Sequence, residues 1–139
     1  ENGVCIWLTD EVRVTQADVR KIQLAKAPIA AGIQILLQEK DWKIKDIDQV
    51  ILAGGFGSYM RKESAAEIGL IPKELVKCTH SVGNAAGEGA VSAALASEAR
   101  TELEQLQKQM RYVELSTHEA FSDIFIREMS FTNSYMRSE

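Results

Sequence analysis

Apolar positions along the chain follow two rhythms, one of period two and one of period three to four. Val4 to Leu8 and Val12 to Val14 are short apolar-rich runs separated by the polar "TDE", a pattern that predicts a hairpin. Ile22, Leu24, Ala25, Ile29, Ile33, Leu36 and Leu37 then recur at helical spacing, and Thr15 with Asp18 three residues later reads as a helix start. The helix is expected to run to Gln38, with a kink or a junction of two helices at Pro28, which has no N–H and restricts Ala27. Gln49 to Ala53 contains "VILA", apolar on both faces, as an inner parallel strand requires.

Beyond that strand, Glu63 to Ile71 predicts a short helix stopped by Gly69 and Pro72. Val76 to Val82 predicts a second strand, followed by a helix of small residues capped by Asn84. Leu95, Ala99, Leu103, Leu106 and Met110 carry the helical period on, or restart it, as far as Met110. Tyr112 to Leu115 suggests a last strand, and Phe121, Ile124, Phe125 and Met129 mark one face of a final helix with Phe131 just beyond.

Composition narrows this α/β picture. A hydrophobic share of 45% in 139 residues suits a single domain, 1–139. The balance of 16 basic against 20 acidic residues, without a basic cluster, argues against a nucleic-acid backbone as partner. No apolar run approaches the roughly 18 residues of a membrane span, and "ENGVCIW" has neither the basic head nor the apolar stretch of a signal peptide. Cys5 and Cys78 read as buried or idle thiols of a reducing cytoplasm. Cys78 and His80 would share one side of a strand, two ligands at most and no zinc site. The start at Glu1 rather than Met suggests a piece of something longer.

The candidate chemistry lies in "VILAGGFGSYM", where three glycines follow an apolar strand. Each glycine costs backbone entropy, so something at that strand end needs the backbone itself. Gly54, Gly55 and Gly57 fall at the carboxyl end of one strand and Gly83 with Asn84 at the end of the next, where α/β domains bind ligands. The spacing is not that of a dinucleotide fingerprint, because Met60 stands where a third glycine belongs, and no P-loop lysine is present. The residues alone leave two readings: a tight strand-to-helix turn, or a floor on which a flat ring or ribose can lie.

"LAGGFGSYMRKESAAEIGLIP", "SVGNAAGEGA" and "LAKAPIAAGIQILL" resemble the C-terminal part of the reductive activators of corrinoid proteins. The likeness runs from about Val12 to Phe131 and includes "YVELS" and "FSDIFIREMSF". It implies a ribonuclease H-like, actin-like ATPase fold: the C-terminal subdomain of a longer protein of the acetate and sugar kinase, heat-shock chaperone and actin superfamily. Parallel inner strands, the N-terminal hairpin and packed helices would make up that subdomain.

The resemblance further implies that the glycine strand end, Leu52 to Gly57 with Phe56 and Ser58, is an adenosine motif, with Gln23, Lys26 and Asn84 around the nucleoside. The parent would pass an electron to the cobalt(II) corrinoid of a methyl-transferring protein, making cobalt(I), with ATP and magnesium as cofactors. The phosphate and metal ligands, and the iron–sulfur cluster of a ferredoxin-like domain, would lie upstream. The partners implied are a corrinoid protein and the parent's upstream lobe, and the exposed cleft wall would favour a homodimer. The chain alone would have no bond-making residue. The competing reading is an interaction module that keeps the fold without using nucleotide.

Other residues have simpler explanations. Glu88 is favoured in the first turn of its helix by the dipole alone. His80 and His118 show no partner in the sequence, and Trp7 and Trp42 read as packing or edge residues.

Overall fold

A computed structural model describes residues 4–131. Strands β1 (Cys5–Trp7) and β2 (Arg13–Thr15) pair antiparallel as the expected hairpin, with Trp7 opposite Arg13. The guanidinium of Arg13 lies 5.5 Å from the Trp7 ring centroid, so the half-exposed indole has its partner across the ladder.

Helix α1 (Gln16–Glu39) starts where the sequence predicts. The Thr15 hydroxyl accepts from the Asp18 N–H at 3.2 Å, and the Asp18 carboxylate accepts from the Thr15 N–H at 3.0 Å. The expected junction at Pro28 does not divide it, since α1 passes through the proline as one element. Nor is the predicted stripe the buried face. Ile22, Leu24, Ile29 and Leu36 are exposed, while Lys26, Ala27, Ala30, Ala31, Gly32 and Ile35 are buried. Small residues win that face because another helix crosses it closely. At Gly32 the neighbour is Leu115, ahead of that helix, whose side chain an added Cβ would approach to 3.3 Å.

That crossing helix is α6 (Phe121–Glu128). Ala31, Ile35 and Ile124 form the centre of this contact, with Phe121 and Phe125 packed at its edge. A second cluster, Ala65, Ala66, Leu70 and Ile71, collects Ile33 of α1 and Met60 and Ile68 around it. It is built on α3 (Lys62–Glu67), which ends with Gly69 at φ +76° and the Leu70 N–H donating back to the Ala65 carbonyl at 2.8 Å.

The inner sheet is β3 (Val50–Leu52) beside β4 (Thr79–Ser81), parallel as predicted, with Val50 opposite Thr79 and Leu52 opposite Ser81. Both strands are shorter than the sequence reading. Val76 to Cys78 belong to a 3-10 helix, Lys73–Cys78, which starts at Pro72. Its turn is closed by the Thr79 hydroxyl donating to the Leu75 carbonyl at 2.7 Å. Ala53 leaves the ladder because the glycines do not form an open loop. They are α2 (Gly54–Tyr59), one short helical turn and a half.

Helices α4 (Ala85–Leu95) and α5 (Ser97–Gln109) are separated by Ala96 in an extended conformation and pack mainly on each other, and neither has a buried residue. The expected strand at Tyr112 to Leu115 is absent, and Leu115–Thr117 form a 3-10 turn instead. The Glu114 carboxylate captures the Ser116 N–H at 3.2 Å and the Ser116 hydroxyl at 2.6 Å, which a strand would leave unmade.

Candidate functional site

The two glycine segments are joined through their backbones. The Val82 N–H donates to the Leu52 carbonyl at 2.8 Å, and the Gly54 N–H donates to the Gly83 carbonyl at the same distance. The parallel ladder of β3 and β4 is therefore extended past both strand ends, bringing Gly54, Gly55, Gly83 and Asn84 together.

The glycines there serve different purposes. Gly54 has φ +71°, a left-handed conformation that a side chain would strain. Gly57 is buried, and a Cβ on it would lie 2.1 Å from the Leu52 carbonyl oxygen and 2.2 Å from that of Val82. These two are required by the turn itself. Gly55 and Gly83 are exposed, and an added Cβ at either would meet no atom within 4 Å. Both readings left open by the sequence thus have their residues: Gly54 and Gly57 make the turn, and Gly55 and Gly83 leave space above it.

Asn84 caps α4 by accepting the Gly87 N–H at 3.0 Å. Gly87 makes room for that carboxamide, because a Cβ there would stand 2.3 Å from Asn84 Nδ2. Beside the cap is an open hollow of about 490 Å³ lined by Asn84, Gly87, Glu88, Val91 and Ser92. The Ser58 hydroxyl is exposed and donates to the Gly54 carbonyl at 3.2 Å, closing the α2 turn. Phe56 belongs to α2, and its side chain lies outside the described groups.

Lys26 lies against the end of α6. It is 2% exposed, and its ammonium donates to the carbonyls of Glu128 and Ser130, both at 2.6 Å, while standing 5.6 Å from the Phe131 ring centroid. The physical cause is the end of α6, whose terminal carbonyls have no partner further along the helix and are satisfied by a cation. Gly69 lines the same chamber, since a Cβ on it would sit 3.3 Å from the lysine nitrogen. Gln23, one turn earlier on α1, is half-buried.

Sequence reasoning missed the buried glutamate beside Lys26, whose main-chain carbonyl accepts from the ammonium. Glu128 is 1% exposed, its carboxylate accepts from the Gln34 amide at 2.7 Å, and Arg127 donates to the other end of that amide at 2.8 Å. Burial pushes the Lys26 ammonium below its ordinary range, and the Glu128 charge opposes that shift. A lysine and a glutamate a hundred residues apart carry no signal of pairing in a single sequence.

Similarity to known proteins agrees with the strand and loop order. Residues 4–138 match the family model described as the C-terminal domain of RACo, the ASKHA domain. The corrinoid activation enzyme RamQ of Eubacterium limosum is 32% identical over 126 residues, which cover 91% of this chain and 21% of that protein. A solved structure, the reductive activator for corrinoid, iron–sulfur protein, superposes with a TM-score of 0.75 at 38% identity, covering 82% of this chain and 18% of that one. The chain thus spans about a fifth of the length of each. A family match over almost every residue means that the chain belongs to the RACo C-terminal domain family and has its actin-like ASKHA fold.

Proposed function

We propose that this chain forms the adenosine-facing wall of a nucleotide cleft in an ATP-dependent activator of corrinoid proteins. The observation that carries the reading is the pair Gly55 and Gly83, exposed on joined strand ends with open space where side chains would stand. A ribose or adenine can approach peptide planes there, and nothing in the packing of this chain requires either position to be glycine. The fit extends to the adenosine alone. Magnesium and the terminal phosphates would be held by residues outside this segment, as would an iron–sulfur cluster.

In such a protein the nucleotide would favour one conformation of the complex with the corrinoid partner, and that difference in affinity would drive the reduction of cobalt(II) to cobalt(I). The chain's own contribution is to bind and orient the nucleoside. The polar groups of the wall would be Gln23, Lys26, Asn84, Ser58 and the loop backbone, with the Lys26 ammonium also held by the carbonyls of Glu128 and Ser130.

The test is calorimetric titration of ATP and ADP into the wild type and into Gly55→Val, with circular dichroism to check the fold. Binding that is lost in a folded Gly55→Val supports the site. Equal affinity in the two, measured in this chain or in a full-length protein containing it, overturns it. The uncovered faces of α4 and α5 favour the second reading, a protein-interaction module, and that reading predicts the equal-affinity result.

A further inference from the structure

The glycine turns occupy one end of β3, and the other end borders a groove. Ile33, Leu36 and Leu37 of α1, Val50 of β3, and Ile71 and Leu75 enclose about 350 Å³ of almost wholly apolar space. Trp42 lines this groove and also an adjoining hollow of about 750 Å³. The backbone of Trp42 is held by the turn that ends α1. After α1 ends, Asp41 turns through φ 52°, and the Trp42 N–H donates to the Leu37 carbonyl at 2.9 Å. Even so, 52% of the residue remains exposed. A half-exposed tryptophan beside an apolar cleft is the kind of anchor on which binding energy concentrates.

The charges around it are one-sided. Those lining the two spaces are Lys40, Lys43, Lys45 and Glu74. None of the three lysines is in an ion pair among the described residues. Of the acids nearby in sequence, Glu39 is paired with Arg111 and His118 and Asp46 accepts the Lys43 N–H at 2.8 Å, while Asp41 and Asp48 line neither space. Three unpaired lysines rim an apolar cleft in a chain whose net charge is −4.

We propose that this groove docks an acidic amphipathic segment of a protein partner, with apolar side chains against Trp42 and Leu36 and carboxylates against Lys40, Lys43 and Lys45. The chain's own exposed helix α5 fits less well. It mixes Arg100 and Lys108 with Glu98, Glu102 and Glu104, so a second copy would bring cations to the lysine rim. Because β3 separates the groove from the glycine turns, this inference stands independently of nucleotide binding.

The probe is a synthetic peptide of roughly 14 residues, with leucine and phenylalanine at helical i, i+3, i+4 and i+7 spacing and glutamate elsewhere. Its control has lysine in place of every glutamate. Trp42 emission is read in a Trp7→Phe background. The glutamate peptide should give a saturable change, weakened by salt, and bind at least about tenfold more tightly than the lysine peptide. The double variant Lys43→Glu/Lys45→Glu should reverse that preference, and Leu36→Lys, at an exposed position that the fold tolerates, should abolish binding. Equal affinity for both peptides, or no saturable change, overturns the proposal. So does a concentration-dependent dimer in sedimentation that Trp42→Lys dissolves, since the occupant would then be a second copy.

Discussion

The α1–α6 side of the molecule and the α4–α5 side use their apolar residues in opposite ways. Across α1 and α6 the interior is made of alanines, one isoleucine from each helix, and a buried lysine and glutamate that bind main chain and amide. On α4 and α5 the larger apolar residues Val91, Leu95, Leu103, Leu106 and Met110 are all exposed. The first side is closed by its own sequence. The second has an apolar face whose burial energy is still unrealised. Apolar content alone therefore does not tell where a domain's core is; residue size and the presence of a crossing element do.

The comparison is tested most severely at Lys26. Removing it takes away the donor shared by the Glu128 and Ser130 carbonyls and opens a cavity, so Lys26→Ala should cost on the order of 3–5 kcal/mol in urea unfolding. Lys26→Met, which fills the space but cannot donate, should fall between. The pH dependence has a definite sign. Burial lowers the folded-state pKa below the ordinary 10.5, so in the window just below 10.5 the unfolded chain holds more protons than the folded one. Stability should rise with pH there, and Lys26→Met should flatten the slope. A small loss in Lys26→Ala would mean that the α1–α6 side is not the anchored one.

Next in size is Gly57→Ala, which forces a Cβ to 2.1 Å from a main-chain oxygen and should cost about 3 kcal/mol. Gly55→Ala, with nothing in its way in a helical turn, should be neutral or stabilising by about 0.5–1 kcal/mol. The pair sharpens the contrast by separating a glycine the fold needs from one it does not. The smallest effect belongs to Leu95→Gln, on a residue 83% exposed, which should stay within about 0.5 kcal/mol. A loss of several times that would show that the α4–α5 face is covered by something.

Sequence pattern located the hairpin, both parallel strands and most helix starts because those signals are local. Thr15 and Asp18 are three residues apart, and Asn84 is three residues before Gly87. It failed where a distant element decides. The stripe of large residues on α1 pointed to the wrong face, since only the crossing of α6 makes Ala27, Ala30 and Ala31 the interior. Tyr112 to Leu115 had the composition of a strand but no neighbour to pair with, and the Glu114 side chain turned it instead. Around the glycines, the location was legible from Gly54 to Gly57 and at Gly83. The division between Gly57, pressed on two carbonyls, and Gly55, facing open space, required coordinates.

The bonds from Gly54 to Gly83 and from Val82 to Leu52 have a mechanical consequence. They leave α2 and α4 no independent hinge at their bases, because a rotation of one turn must drag the other strand end with it. The two turns form one unit, and α4 starts at its edge. At 1.5 Å per helical residue, any tilt of that unit reappears magnified at the far end of α4, well away from the glycines that set it.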